Sequence, residues 1–212
     1  MDWRLLAGVS AEDVNRLVAI AERRFFRRGQ VVFHENDPAD ALHLVVRGHF
    51  AVRVTIPTGE AVLLAVVGSG DAFGELALVS NSRRGATVQA FSDGETLALH
   101  RDAFEALRRA RPQVDRSLAA ILAERSRRLN ELLVEAHYVD ADVRVRRRLL
   151  ELGEAFGGTI PLTQEEIAQT AGTSRATVNR VLREEESAGA VELGRGRTTI
   201  TDSASLQGRA TS

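Results

Sequence analysis

The chain has 212 residues, of which 44% are hydrophobic and 27% charged, so it can form ordinary hydrophobic cores in one or two domains. It contains no cysteine, which excludes disulfides, thiolate-bound iron–sulfur clusters and cysteine catalysis. Its formal net charge at pH 7 is −1, so any binding to nucleic acid must depend on where the charges lie rather than on their sum.

The N-terminal residues do not have the pattern of a signal peptide, because charges interrupt them before an apolar core can form. The longest apolar run, Ala61–Val67, is too short to span a bilayer. Since the chain also has no cysteine, we expect a protein that does not associate with membranes and that is located in the cytoplasm.

The first predicted elements are a short helix and a series of strands. Residues 10–21 are predicted to form a helix capped by Ser10. Short β-type runs then follow at 31–33, 42–46, 50–56, 61–67, 86–90 and 96–100. The turn signals between them are Asn36-Asp37-Pro38, Gly48, Pro57-Thr58-Gly59, Gly68–Asp71 and Asp93-Gly94. This spacing is typical of a sandwich or barrel-like β domain.

The pattern becomes helical after residue 100. One helix is predicted for 101–110, and a long helix for about 113–139. In the long helix, alternating spacings of four and three residues form a heptad seam: Leu118, Leu122, Arg125, Leu129, Leu132, Ala136 and Val139. Such a helix either packs on its own domain or pairs with its twin in a homodimer, and the seam favours the dimer. Arg125 needs a partner, because a cation inside an apolar seam is costly.

The C-terminal part begins at a predicted hinge, Asp140-Ala141-Asp142. A helix is predicted for 143–156 and ends at Gly157-Gly158, and two further helices follow. A small hairpin is predicted for 191–201, with basic residues at its tip, and we expect the tail from Ser203 to be frayed.

Residues 162–186 carry the pattern of two helices joined by a tight turn. Thr163 and Glu166 form a capping box, Gly172 supplies the turn, and Ser174 caps the second helix. The candidate DNA contacts are Thr163, Ser174, Arg175, Thr177, Asn179 and Arg180, with Arg195 and Arg197 at the hairpin tip. Such side chains can donate hydrogen bonds to base edges and phosphates. The alternative is an ordinary helical hairpin with solvated charges.

Residues 70–90 combine a Gly-rich turn, a short helical piece and two arginines. Backbone N–H groups near Gly74, Glu75 and Leu76 can converge with the guanidinium of Arg84 on one phosphate. Glu75 is better suited to accept a ribose hydroxyl, because a phosphate would repel its carboxylate. These residues therefore predict a site for a sugar phosphate.

The segments GELAL, with an arginine nine residues after the glutamate, and RGATV resemble the phosphate-binding cassette of cyclic-nucleotide-binding domains. Together with TQEEIAQTAGTSRATVNRVL, they resemble the Crp-Fnr family of transcription regulators over about residues 10–202. The resemblance implies an α+β fold with a jelly-roll-like sensor β-roll (1–112), a dimerisation helix and hinge (113–140) and a winged helix-turn-helix (141–212). It also implies a homodimer, a two-fold-symmetric operator in double-stranded DNA and RNA polymerase as a partner.

The implied effector is cAMP or a related cyclic nucleotide. Glu75 would meet the ribose 2′-hydroxyl, Arg84 the cyclic phosphate, and Gly85 would offer its backbone N–H. Arg125 and Asn130 would act from the long helix. Two positions depart from the family pattern. Leu129 cannot hydrogen-bond a base, and Ala176 stands where a glutamate would accept from cytosine, which predicts a relaxed or altered half-site.

Other functions find less support in the sequence. The five histidines have no ligand spacing, so we predict no metal site. Because the chain has no cysteine ligand, we also predict no haem and no iron–sulfur cluster. No carboxylate or histidine cluster suggests catalysis, so we predict no enzyme. Three alternatives stay open: a different effector, a sensor domain that only dimerises, and a regulated subunit of another system.

Overall fold

The computed structural model describes residues 2–56 and 61–211, and the chain divides into two compact units, Met1–Arg127 and Arg128–Ser212. The division falls inside the long helix, whereas the boundaries predicted from the sequence, near 112 and 140, mark its two ends. The predicted turn at Pro57-Thr58-Gly59 lies outside the described residues.

The N-terminal unit is built on two antiparallel sheets. In the part of this unit that the structure describes, the strands are β1 (Glu22–Phe26), β2 (Val31–Phe33), β3 (Ala41–Arg47), β4 (Phe50–Thr55), β5 (Ala61–Val67), β6 (Ala72–Phe73), β7 (Thr87–Ala90) and β8 (Gly94–His100). Their orders are β1-β8-β3-β6 and β2-β7-β4-β5. The predicted β domain is therefore confirmed, and six of its strands coincide with predicted runs to within two residues at either end.

Two strands, β1 and β6, were not predicted from the sequence. β1 opens with Glu22, Arg23 and Arg24, so it lacks the alternation of polar and apolar residues that marks a strand. It pairs with β8 at the edge of its sheet, where charged residues are tolerated. β6 has only two residues, too few to produce a pattern.

The helices of the N-terminal unit are α1 (Ala11–Ile20), α2 (Glu75–Val79), α3 (Arg101–Ala110) and the first part of α4 (Pro112–Tyr138), after a 3-10 turn at Arg4–Leu6. One core contains aromatic and aliphatic residues of both sheets, among them Phe26, Val45, Phe50, Phe73 and Val88. A second core joins the helices to β3 and β8, through Trp3, Leu5, Leu17, Leu42, Leu99, Phe104 and Leu118. The indole N–H of Trp3 donates to the carbonyl of Val45 (2.9 Å), which fixes the N-terminal segment on the sheet.

The C-terminal unit contains the last part of α4, then α5 (Ala141–Phe156), α6 (Gln164–Ala171), α7 (Arg175–Ser187) and α8 (Ser203–Arg209). In its described residues, β9 (Thr159–Ile160), β10 (Val191–Gly194) and β11 (Arg197–Ile200) form a sheet of order β10-β11-β9. The core consists of Val145, Leu149, Ile160, Leu162, Ile167, Val178, Val181 and Leu182. This arrangement confirms the predicted winged helix-turn-helix.

The tail from Ser203 is helical, so the expectation that it is frayed was wrong. Asp202 caps α8 by accepting from the backbone N–H of Ser205 (2.9 Å), and Leu206 and Ala210 are buried. Arg209 also bonds the buried carboxylate of Glu185 on α7. A helix of seven residues with one large apolar side chain gives no periodic pattern, so only its tertiary contacts identify it.

Candidate anion site and nucleic-acid interface

The predicted anion site begins at Gly74, which caps α2 in the left-handed conformation (φ 83°). A Cβ atom at this position would lie 2.6 Å from Nη1 of Arg84, so a larger residue would displace the guanidinium. The turn before α2 and the loop after it thus come together at this glycine, as the sequence predicts.

Arg84 is 2% exposed and is held by backbone oxygens. Nη1 donates to the carbonyl of Gly74 (2.9 Å), Nη2 donates to the carbonyl of Ala41 (2.6 Å) and to Asp40 Oδ1 (3.1 Å), and the guanidinium lies over the Phe33 ring. None of the described residues accepts a hydrogen bond from its buried Nε. Burial lowers the pKa of Arg84, but an arginine keeps its proton at neutral pH. A buried cation with an unused donor fits an anionic ligand.

Glu75, the first residue of α2, is also 2% exposed, and its carboxylate pairs with Arg125 on α4. Nη2 of Arg125 lies 3.4 Å from the carbonyl of Ala72. Arg125 therefore points into its own unit and has the partner that the sequence required. The ion pair reduces the repulsion that the carboxylate would exert on a neighbouring phosphate.

The remaining predicted ligand contacts are exposed to solvent. Gly85 is exposed, with no described atom within 4 Å of its Cβ position, and Leu76 is 50% exposed. Asn130 is exposed and lies in the part of α4 that belongs to the C-terminal unit. The described residues contain no cluster of histidine, cysteine, aspartate and glutamate suited to a metal ion.

The long helix carries an exposed apolar row that differs in register from the predicted seam. Leu118 is buried in the core of its own unit, so it is not available for the dimer contact that the sequence predicted for it. Leu122 packs partly against the same core. Farther along α4, Leu129 and Leu133 are 62% and 59% exposed, whereas Leu132 and Val139 are half-buried. The accessible heptad row is Leu129, Leu133 and Ala136, and Ser126 precedes it at heptad spacing.

The helix-turn-helix is fixed by local capping. Thr163 and Glu166 form the predicted capping box of α6, and Gly172 ends this helix in the left-handed conformation (φ 58°), where glycine is unstrained. Ser174 caps α7 by accepting from the backbone N–H of Thr177 (3.1 Å). The predicted caps and turn are confirmed.

The candidate DNA contacts lie on two adjoining surfaces. Arg175, Asn179 and Arg180 are exposed on α7, Thr177 is half-buried, and Thr163 and Ser174 lie at helix starts. Arg195 and Arg197 are exposed at the hairpin tip. A cavity of about 490 Å³ lies between the hairpin and the two helices, and its charged lining residues are Arg175, Arg197 and Glu165. The two arginines outnumber the one carboxylate, and cations of this kind bind phosphates of a DNA backbone.

The acidic end of α7 faces other helices. Glu185 is 1% exposed and accepts from Arg146 on α5 (2.7 Å) and from Arg209 on α8 (3.0 Å). Glu184 accepts from Arg146 (3.1 Å) and from Arg180 (2.8 Å). The carboxylates that would repel DNA are thus partly neutralised within the unit.

Comparison with known proteins matches both halves of the chain. A model of the cyclic nucleotide-binding domain matches residues 23–111, and a model of the Crp-like helix-turn-helix domain matches residues 143–209. The cyclic AMP receptor protein of Thermus thermophilus is 35% identical over 204 residues, which cover 96% of this chain and 94% of the relative. The chain belongs to the Crp-Fnr family of transcription regulators.

Further relatives agree with this membership. The CRP-like cAMP-activated global transcriptional regulator of Mycobacterium tuberculosis is 32% identical over 214 residues, which cover 97% of this chain and 96% of the relative. The crystal structure of the Thermus thermophilus catabolite activator protein has a TM-score of 0.58 at 35% identity, and 98% of each chain is covered. The family membership predicted from the sequence is therefore confirmed. Within the described residues, no helix is long and apolar enough to cross a membrane.

Two residues of this Crp-Fnr regulator that sequence reasoning missed contact the candidate DNA-binding side chains. Asp142, on α5, accepts from Nη2 of Arg180, and Gln164, on α6, donates to Oδ1 of Asn179 (3.2 Å). The pairs are 38 and 15 residues apart, so neither follows a helical or strand spacing. Only the packing of α5, α6 and α7 brings them together.

Proposed function

We propose that this Crp-Fnr regulator binds double-stranded DNA as a homodimer and that a cyclic nucleotide, cAMP in the first place, controls its DNA affinity. The observation that carries the effector assignment is the buried guanidinium of Arg84, whose Nε donor is unused among the described residues. A buried charge persists only when other groups stabilise it, and an anionic phosphate would complete that set.

The effector contacts follow from the same geometry. The cyclic phosphate would take the donor at Arg84 and the free N–H groups at the start of α2, beside Glu75 and Leu76. The carboxylate of Glu75 would accept the ribose hydroxyl while it stays paired with Arg125. Because Arg125 belongs to α4, ligand binding would act on the helix that carries the exposed heptad row.

DNA recognition would use the exposed side of α7 in the major groove and the arginines of the hairpin on phosphates. Pairing of two α4 helices through Leu129, Leu133 and Ala136 would bury apolar side chains that one chain leaves exposed. The dimer would then present two recognition helices to successive major grooves, about 34 Å apart. Contact with RNA polymerase stays a prediction from the family resemblance.

A second candidate keeps the DNA-binding function but changes the effector. The exposed side chain of Leu129 offers no hydrogen bond to a base, so selectivity for adenine would rest on Asn130. A cyclic dinucleotide or another cyclic nucleotide would then use the same phosphate contacts.

The test is DNA binding by fluorescence anisotropy at fixed salt, on sequences selected from a randomised two-fold-symmetric library. Affinity is measured alone and with cAMP, cGMP or cyclic di-GMP. We expect cAMP to raise the affinity about 5- to 150-fold, the usual range of allosteric coupling. A response to another nucleotide alone would reassign the effector, and equal affinity in every arm would refute the sensor function.

Two adjacent arginines supply a matched pair of variants. Arg84→Gln removes the buried cation, whereas Arg83→Gln removes an exposed one that bonds only the carbonyl of Asn36 among the described residues. We expect Arg84→Gln to abolish the response to cAMP while DNA affinity without ligand is kept, and Arg83→Gln to respond as the native protein does. A full response in Arg84→Gln would contradict the assignment of the phosphate site.

A further inference from the structure

A pair of side-chain amides joins the two helices of the helix-turn-helix. Gln164 is the first residue of α6, and Asn179 lies in the second turn of α7 on its exposed side. Nε2 of Gln164 donates to Oδ1 of Asn179 over 3.2 Å. The amide of Asn179 is therefore oriented by a neighbour on another helix, although the residue is exposed.

This bond fixes which groups Asn179 can offer to a ligand. Its oxygen is directed toward α6, whereas its NH₂ group donates to no other described residue, so both of its donors remain for a ligand. The oxygen also keeps a second lone pair, because a carbonyl oxygen accepts two hydrogen bonds. Asn179 can thus donate and accept in one plane, toward the side on which α7 is exposed.

Adenine has the matching pattern in the major groove. Its N7 accepts and its N6 amino group donates, and asparagine binds this pair with two hydrogen bonds. Thymine offers one acceptor, cytosine offers one donor, and guanine offers two acceptors that would leave Oδ1 without a partner. Among the four bases, adenine alone uses both free functions of the held amide.

We propose that Asn179 reads an adenine in each half-site and that Gln164 is the positioning residue that holds its amide in the reading orientation. This inference rests on the proposed DNA-binding function. It names the base that the exposed face of α7 selects.

The contribution of Asn179 to base selection can be measured separately from those of the side chains near it. Ala176, one turn earlier on the exposed side, has no side-chain hydrogen-bonding group and can contact only a thymine methyl, so a preference that is lost in Asn179→Ala belongs to Asn179. Arg180, the next residue, is suited to guanine or phosphate. The second N–H of Gln164 stays available to a phosphate, since Gln164 also lines the cavity with Arg175 and Arg197.

The experiment is selection from the randomised two-fold-symmetric library with the full-length protein and cAMP, followed by sequencing and anisotropy on single-base variants of the selected site. The native protein is compared with Asn179→Ala, Asn179→Asp and Gln164→Ala. Gln207→Ala, an exposed glutamine of α8, is the matched control. Thermal melting checks that each variant is folded.

We expect the native protein to select adenine at one position of each half-site, with about tenfold discrimination against other bases. Asn179→Ala should lose the preference at that position and keep it elsewhere. Asn179→Asp, which only accepts, should move the preference toward cytosine, whose N4 donates. Gln164→Ala should weaken the adenine preference, and Gln207→Ala should leave the profile unchanged.

Other results would overturn the inference. A uniform loss of affinity in Asn179→Ala, with an unchanged base profile, would make this residue a phosphate contact. A native profile in Gln164→Ala would remove the positioning role. In both cases the DNA-binding function would stand, whereas a native protein that selects no sequence would refute that function itself.

Discussion

Arg180, on the exposed side of α7, bonds two carboxylates of its own unit. Nη2 donates to Asp142 at the start of α5, and Nη1 donates to Glu184 one turn farther along α7 (2.8 Å). The bond to Arg180 lowers the pKa of Asp142, so this carboxylate is ionised at neutral pH. DNA must therefore compete with two carboxylates for the donors of Arg180.

Removing one competitor should strengthen DNA binding. We expect Asp142→Asn to raise the affinity for a selected operator about 1.4- to fivefold, because an exposed ion pair contributes about 0.2–1 kcal/mol. Asp140→Asn is the matched control, since Asp140 is exposed and its side chain does not cap α5. Fluorescence anisotropy at fixed salt is the measurement. An unchanged or lower affinity in Asp142→Asn would mean that Asp142 orients Arg180 rather than competing for it.

His43 is a buried residue whose charge affects stability. It is 2% exposed, stacks on the Phe73 ring at 5.0 Å and is hydrogen-bonded to Oγ1 of Thr96 (3.0 Å). Burial, together with the nearby cations Arg24 and Arg84, lowers its pKa from 6.5 to about 3. It is neutral in the folded protein at neutral pH.

This depressed pKa predicts a loss of stability in mild acid. Below pH 6.5 the unfolded chain gains a proton at His43 that the folded chain does not bind until about pH 3. The contribution of His43 to the free energy of unfolding should therefore fall by about 1.4 kcal/mol per pH unit as the pH is lowered through this window. We expect His43→Gln to have a flatter dependence of Tm on pH between 6.5 and 4 than the native protein. An unchanged slope in His43→Gln would contradict the argument.

At the level of elements, α4 has an exposed apolar row that belongs to no core of its own chain. The row runs through Leu129, Leu133 and Ala136, and Ser126 precedes it. Arg125, which the sequence placed in the seam, instead bonds Glu75. A dimer built on this row would contain small and apolar side chains and no guanidinium.

A charge in the row should separate the two chains. We expect Leu133→Glu to weaken dimerisation at least tenfold, because burial of a leucine contributes about 1.5–3 kcal/mol and a buried carboxylate adds a further cost. Val134→Glu is the matched control, because Val134 is equally exposed but lies outside the row. Sedimentation equilibrium measures both. If the two variants dimerised equally strongly, the dimer contact would lie elsewhere.

The sequence predicted α4 itself, and the dimer seam on it stays a prediction. Because Leu132 and Leu133 are adjacent, the sequence is compatible with two different heptad rows, one through each leucine. Only the exposure of the side chains in the structure distinguishes the two rows. The caps of α6 and α7 were predictable, because a cap depends on residues three positions apart. The bonds from Arg84 to Ala41, from Arg180 to Asp142 and from Gln164 to Asn179 were not predictable, because each joins two different elements.

The contacts around the predicted hinge also depend on packing. Glu135 on α4 accepts from Arg147 (3.0 Å) and Arg148 (2.6 Å) on α5, and Glu151 on α5 pairs with Arg128 on α4. These ion pairs hold the end of α4 to the helix that follows. A change of angle at Asp140–Asp142 would therefore have to break or exchange them.

At the scale of the whole molecule, the candidate effector contacts Glu75 and Arg84 lie in one compact unit and the candidate DNA contacts in the other. The sequence predicted this order of motifs, since each motif lies within a short segment. It could not predict that the units divide near Arg127, because the helical pattern of α4 continues through that point.

Two compact units predict a distinctive calorimetric response. We expect two unfolding transitions, and cAMP at 100 times its Kd should stabilise the N-terminal unit by about 2.7 kcal/mol. In a coupled regulator, cAMP would also shift the unfolding transition of the C-terminal unit. In a protein whose sensor domain only dimerises, cAMP would leave that transition unchanged. Differential scanning calorimetry with and without cAMP distinguishes these cases. A single transition that no ligand shifts would contradict both expectations.

The docking of α8 has a consequence for the gene. The last candidate DNA contact is Arg197, yet Leu206 is fully buried and Arg209 bonds the buried carboxylate of Glu185 at the end of the recognition helix. A nonsense mutation after codon 202 would therefore keep the codons of all the candidate DNA contacts, but it would expose part of the core and remove one of the cations that neutralise Glu185. Such an allele should behave as a loss of function through folding, although the recognition sequence it encodes is intact.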